Sequence, residues 1–230
     1  VIEIDSPGGL KNESLDIAEQ LRDVDWAYTV AFVPRQAISG GALITLGCDE
    51  LIVGPNARIG DIGVIELDPE LFAFRFVPAK IQSVLVRQAR DLASSKGRSA
   101  ELAESMIDKD VMTFWRETPN GVEYRNVRVD AVEMPDDPWI LVEESGPERF
   151  LTLSGQRAVE LGLAVGLATD RTQLAAALGL QPGDFHVYKN TITDSIVYYL
   201  NHPMGTAVLI VIGLVALFFE LSAPGLGAGG

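Results

Sequence analysis

Two glycine pairs, Gly8-Gly9 and Gly40-Gly41, each stand where a strand-like pattern gives way to a helix-like one. Few folds are open to a chain built this way, because short strand–helix units joined by tight turns stack as α/β layers. Val1–Asp5 reads as a strand. After Ser6-Pro7-Gly8-Gly9, a helix near Ser14–Asp23 sets Leu15, Ala18 and Leu21 on one face. Ala27–Pro34 reads as a second strand, and Ser39-Gly40-Gly41 opens a short apolar helix to about Leu46. Strands are predicted over Glu50–Gly54 and near Ile62–Ile65, the latter following a turn at Gly60. A long helix is predicted over Pro78–Ser95, with Gly97 as its C-terminal cap.

Residues 111–150 break this rhythm. They hold six prolines or glycines and alternate weakly at Val122, Tyr124, Val127 and Val129, so a hairpin-rich excursion is predicted there. Helical order returns over Ser154–Leu161, followed by a strand at Ala164–Ala168 and a helix after Asp170. Residues 1–180 thus read as one domain. Residues 181–203 form a juxtamembrane linker in which Ile192, Ile196, Val197 and Leu200 share a helical face that fits a membrane surface. Met204 to Phe219 is sixteen residues without a charge, and 204–221 is read as a transmembrane helix with Tyr198, Tyr199 and His202 as its interfacial belt. A turn at Pro224-Gly225-Leu226-Gly227 follows. Val1 has no methionine ahead of it, so the chain is expected to be one piece of a longer protein.

The formal charge of −14 argues against a nucleic-acid surface, which needs clustered Lys and Arg. Cys48 is the single cysteine, so neither an internal disulfide nor a cysteine metal site is available, and its apolar neighbours mark a small buried side chain. With only His186 and His202, both late in the chain, a multi-histidine metal centre is not expected. No cofactor is expected either.

The two glycine loops carry the chemistry. Gly8 and Gly9 free backbone N–H groups to point into a cleft, just ahead of a helix N-terminus that favours developing negative charge. Ser39 sits at the second such turn, where its hydroxyl is presented and the Gly40 N–H joins the first loop as a donor. A presented hydroxyl with donors aimed at a carbonyl oxygen is what acyl transfer requires. A serine nucleophile also needs a base, and no histidine lies near it in sequence. Lysine serves as base when burial lowers its pKa to about 7–8. Of the five lysines, Lys11, Lys96, Lys109 and Lys189 have polar or charged neighbours and read as solvated, whereas Lys80 lies in the apolar run Phe76-Val77-Pro78-Ala79-Lys80-Ile81.

The ordered set Ile4-Asp5-Ser6-Pro7-Gly8-Gly9, Ala37-Ile38-Ser39-Gly40-Gly41-Ala42, Cys48-Asp49-Glu50-Leu51 and Ala57-Arg58-Ile59-Gly60 resembles the ClpP/crotonase superfamily. More narrowly, it resembles the membrane-bound NfeD proteins with an N-terminal ClpP-class serine protease domain, relatives of signal peptide peptidase A. Lys80-Ile81 resembles the segment where that family keeps its catalytic lysine. Leu151–Ala164 resembles its late helix–strand unit, and Phe219–Gly227 its first membrane segment. The resemblance implies a spiral of ββα units, a Ser39–Lys80 dyad, and oxyanion donors from Gly8 or Gly9 together with Gly40. It further implies a homo-oligomer, a stomatin-like membrane partner whose hydrophobic tail is cut, and an extracytoplasmic protease domain. Asp61 departs from the pattern, since relatives carry a small residue there. The leading expectation is a membrane-anchored serine endopeptidase acting on hydrophobic segments. Its alternatives are a non-catalytic scaffold for the stomatin-like partner and a crotonase-type acyl-CoA enzyme.

Overall fold

Four consecutive apolar residues, Val30-Ala31-Phe32-Val33, are all buried, as expected of a central strand of a parallel sheet covered on both faces. The structure is a computed structural model that describes residues 1–63, 65–68, 73–76, 79–131, 133–188, 191–201 and 203–222. Val77, Pro78, Lys189, His202 and the Pro224–Gly227 turn lie outside the described residues. The elements in order are β1 (Ile2–Glu3), α1 (Lys11–Arg22), β2 (Val30–Val33), β3 (Gln36–Ile38), α2 (Gly40–Leu46), β4 (Glu50–Val53) and β5 (Arg58–Gly60). Then come β6 (Ile65–Asp68), β7 (Ala73–Phe76), α3 (Ala79–Ser95), α4 (Ala100–Ser105), β8 (Val111–Thr118), β9 (Gly121–Arg128) and β10 (Ile140–Leu141). The last are β11 (Thr152–Ser154), α5 (Gly155–Glu160), β12 (Gly166–Leu167), α6 (Arg171–Ala177), α7 (Ile192–Asn201) and α8 (Pro203–Ser222). Contacts divide them into two units, Val1–Pro182 and Gly183–Gly230.

In the first unit, a parallel sheet of order β1-β2-β4-β12 lies beside a second of order β11-β5-β3, in which β3 and β5 run parallel. Successive segments feed one strand to each sheet and then a helix: β2, β3, α2, and β4, β5, α3 with the β6–β7 hairpin inserted. The first segment does the same with one residue, since Ser6 bridges to Ala37 on β3 before α1 begins. This is a mixed α/β fold. α1 and α3 close over it through single faces, and α2 is buried nearly all round. α1 buries Ser14, Leu15 and Ala18, α2 is buried at six of its seven residues, and α3 buries Leu85, Ala89, Leu92 and Ala93 at helical spacing.

One expected strand, near Ile62–Ile65, is shifted, since β6 starts at Ile65. Ile62 and Gly63 are not in a strand, because Gly60 (φ +127°) and Asp61 (φ 49°) turn the chain out of β5 first. A Cβ at Gly60 would stand 2.2 Å from the Leu151 carbonyl oxygen, so glycine is required where β11 crosses. α4 was not legible in the sequence. It is six residues long, capped by Ser99 Oγ accepting from the Leu102 amide. Residues 111–128 form the long β8–β9 hairpin, with β10 on the outer side of β8. A buried hydroxyl network ties the hairpin down: Ser105 and Thr113 share a hydrogen bond, Thr113 donates to Asn126, and the Thr113 amide donates to Ser145 Oγ.

Arg98 anchors the middle of the unit. Its side chain is buried, and its guanidinium donates to the carbonyls of Leu46, Cys48, Asp49 and Leu163 at 2.8–3.3 Å. Beside it, the Asp49 carboxylate accepts from Lys96 Nζ at 2.6 Å and from the amide and hydroxyl of Thr29 at 2.7 Å each. Burial alone would raise the Asp49 pKa, but these donors outweigh it and bring the carboxyl down to about 2. Burial pushes the Cys48 thiol up to about 11, which makes it an inert core residue.

In the second unit, Ile192, Ile196, Val197 and Leu200 are exposed on α7, as are the apolar residues of α8 from Met204 to Phe219. Among the described residues no single helix is long and apolar enough to cross a membrane. Ile192–Leu200 and Met204–Phe219 satisfy that requirement only as a pair, bent by 72°. The expectation of one straight span over 204–221 is therefore not met by α8 alone.

Replacing Arg98 by Met leaves four buried carbonyls without a donor and is expected to lower unfolding free energy by about 3–5 kcal/mol. Urea unfolding followed by tryptophan fluorescence measures this, and Arg98→Lys should recover little of the loss because an ammonium lacks the guanidinium fork. Since the Asp49 pKa is depressed on folding, its contribution is complete above the unfolded value of about 3.9 and lost as pH falls through about 2. Asp49→Asn should therefore destabilise by about 1 kcal/mol at pH 7, after allowing for partial exposure, and by progressively less between pH 4 and pH 2.

Candidate active site

Ser39 is the hinge between β3 and α2, and it is one of only three non-glycine residues with positive φ among those described (φ 54°, ψ −121°). An L-residue resists this region, so something must hold it there. Its amide donates to Gly60 O at 3.0 Å, and its carbonyl accepts from Ala42 and Leu43 at 3.0 and 3.2 Å. Such a strained strand-to-helix turn presents the hydroxyl away from the backbone.

The first glycine loop packs directly on this turn. A Cβ at Gly8 (φ +126°) would stand 2.8 Å from Ser39 Cβ and 3.3 Å from Ser39 Oγ. A Cβ at Gly40 would stand 2.2 Å from Ser14 Oγ, 2.9 Å from Ser14 Cβ and 3.3 Å from the Gly9 nitrogen. The two loops thus meet with no room for side chains between them. Their amides are not equivalent. The Gly8 N–H donates to Ser6 Oγ at 3.1 Å, while those of Gly9 and Gly40 have no acceptor among the described residues. The free pair beside Ser39 is Gly9 with Gly40, and Gly8 instead shapes the loop.

These groups open onto a cavity of about 140 Å³. Leu10, Leu43 and Ile62 supply its apolar walls, Gly9, Ser39, Gly40 and Gly63 its backbone, and Lys11 its one charged residue among those described. Lys80 is not among the lining residues. It lies on the first turn of α3 with its side chain exposed, and its carbonyl accepts from Ser83 Oγ at 2.9 Å. The helix explains this. At 3.6 residues per turn, the five residues from Lys80 to buried Leu85 turn it roughly 140° off the core face. The apolar neighbours Ile81 and Val84 are exposed too. The polar neighbours of Lys11 hide its place at the cavity from a reading of the sequence, and Ser6 and Ser14 carry no signal of their own.

The model of the NfeD1b N-terminal domain matches residues 1–122. The chain belongs to the NfeD1b family. Membrane protein NfeD1b of Bacillus subtilis is 24% identical over the whole chain, which covers 45% of that protein. Membrane-bound protease PH1510 of Pyrococcus horikoshii is 21% identical over 98% of the chain and 46% of its own length. Putative protease slr0021 of Synechocystis is 28% identical over 84% of the chain and 67% of its own length. The chain thus spans less than half the length of the first two relatives. Among solved structures, the 1510-N membrane-bound stomatin-specific protease shares the fold. A serine-to-alanine variant matches at TM-score 0.55 with 20% identity, covering 82% of this chain and 75% of that one. A lysine-to-alanine variant in complex with a substrate peptide matches at TM-score 0.58 with 19% identity, covering 86% and 81%.

In this NfeD1b-family chain, Gly40→Ala should force Ser14 and the start of α1 away from the Ser39 turn and destabilise by about 1–3 kcal/mol. Gly166→Ala, where a Cβ meets nothing within 4 Å, serves as the control and should change stability by under about 0.5 kcal/mol. Thermal unfolding of the two variants side by side checks the difference.

Proposed function

We propose that this chain is the proteolytic part of a membrane-anchored serine endopeptidase working through an acyl-enzyme. The observation that carries the reading is Ser39, held at φ 54° with the unengaged Gly9 and Gly40 amides beside it. Ser39 Oγ attacks the scissile carbonyl while the neutral Lys80 amine takes its proton. The Gly9 and Gly40 amides receive the oxyanion, with Gly8 holding the loop in place. Lys80 then returns the proton to the leaving amine, and water releases the acyl group by the same steps in reverse. No cofactor takes part. Lys80 is exposed in the free protein, so the dyad closes when substrate is bound; catalytic hydrogen bonds often tighten only in the complex.

The relatives support a peptide substrate, since two are named as proteases and one solved neighbour is a stomatin-specific protease with a substrate peptide bound. The further assignments belong to the same proposal. Residues 1–180 form the protease domain and 181–203 the link, the bent α7–α8 pair sits in or on a membrane, and the substrate is a hydrophobic segment of a stomatin-like protein. The working form is a homo-oligomer with its protease domain on the extracytoplasmic side. A second reading, a scaffold without catalysis, draws on the exposure of Lys80.

The test is cleavage of an unfolded hydrophobic protein by the full-length protein, beside Ser39→Ala and Lys80→Ala. Each variant should remain folded and lose at least about 100-fold in rate, the usual worth of a positioned base or an oxyanion-type interaction. An intact protein that cuts nothing, or a Lys80→Ala variant that cuts equally well, sinks the dyad and favours the scaffold.

A further inference from the structure

We propose that Lys11 selects the substrate of this site by pairing with a carboxylate close to the bond that is cut; the proposal rests on the peptidase reading. Lys11 is half-buried and is, among the described residues, the one charged residue lining the cavity at Ser39. It has no carboxylate within ion-pair distance among the described residues, although acids outnumber bases in the chain by 32 to 18. Its place in the fold is also electrostatically unfavourable. It is the first residue of the twelve-residue α1, the end of a helix where acidic side chains are favoured and cations are not. A residue that breaks a local preference with no compensating partner, at the mouth of a reactive cavity, is where a functional constraint is expected.

The remaining walls set the rest of the recognition. Leu10, Leu43 and Ile62 accept an apolar side chain, and the Gly9 and Gly40 amides take the carbonyl oxygen. Lys11 then adds one cation to a pocket whose other described walls are uncharged. The substrate class is an apolar peptide with a single carboxylate beside the scissile residue, from an Asp or Glu side chain or from the chain's own C-terminus. Pairing with Lys11 fixes the register of the peptide, while Ser39 and Lys80 do the chemistry.

Binding to full-length Ser39→Ala protein, read by fluorescence anisotropy of labelled apolar peptides, tests this without depending on turnover. One peptide carries a single Glu with an amidated C-terminus, one carries Gln in its place, one carries Lys, and one is neutral with a free C-terminus. The Glu series is moved residue by residue along the peptide. With Lys11 intact, the Glu peptide or the free C-terminus should bind about 5–10-fold tighter than the Gln peptide, and less so at high salt. In the Ser39→Ala background, Lys11→Met, which keeps the aliphatic stem, should erase the difference, and Lys11→Glu should turn the preference toward the Lys peptide. Equal binding of the Glu, free-C-terminus and Gln peptides, no binding of any, or a preference that survives Lys11→Met overturns the proposal. Cleavage by the unmodified protein is scored separately. A preference without cleavage defeats the peptidase reading alone, and cleavage without a preference defeats the role of Lys11 alone.

Discussion

The hydrogen bond from the Ser39 amide to Gly60 O holds in place a backbone turn that the chain would otherwise avoid. Everything near it follows from that turn. With Ser39 at positive φ, α2 leaves β3 so closely packed on the first loop that Gly8 and Gly40 admit no side chain. Gly60 must itself be a glycine, since the Leu151 carbonyl, just ahead of β11, lies against the same residue. The far end of α2 is held by Arg98, whose guanidinium takes the Leu46 and Cys48 carbonyls just as the helix ends. A seven-residue helix has little stability of its own, so these two attachments fix where Ser39 points.

Much of this was written in the sequence because glycine is a statement about backbone geometry. Gly8-Gly9 and Gly40-Gly41 between apolar runs identify two tight strand-to-helix turns, and the structure brings them together. The division of labour between Gly8 and Gly9 was not legible, since it depends on whether Ser6 Oγ turns back to the Gly8 amide. Lys80 and Lys11 show the complementary limit. Sequence neighbours describe what precedes and follows a side chain, not which face of a helix it occupies. Lys80 stands among apolar neighbours yet points outward from α3, and Lys11 stands among polar ones yet reaches the cavity. The strand expected near Ile62–Ile65 appears as β6 and starts only at Ile65 for a similar reason, because β-forming side chains cannot reveal that Gly60 and Asp61 turn the chain away first.

The second unit is legible in composition and not in architecture. Residues 204–219 of α8 carry no charge and show no polar face, a pattern that separates helices of a protein core or a membrane from amphipathic ones. Length is the limiting quantity. Crossing the hydrocarbon takes about 20 residues at 1.5 Å each, and only the addition of α7 brings the apolar stretch to that reach. The bend between the helices falls where Pro203 begins α8, a residue that lacks an amide for the preceding turn.

The two halves of the proposed catalytic apparatus differ in how they are built. The acceptor half, Ser39 with the Gly9 and Gly40 amides, is fixed by sheet bonds, close glycine packing and the Arg98 clamp, so it needs no rearrangement when charge develops. The base half is a single exposed lysine on the first turn of α3, whose buried face begins only at Leu85. A lysine serves as a base where it is shielded from water. Under the proposed mechanism, covering Lys80 is therefore part of activation. An apolar polypeptide lying across the Ser39 cavity would supply that cover, so the substrate's own hydrophobicity would help to complete the dyad that cuts it.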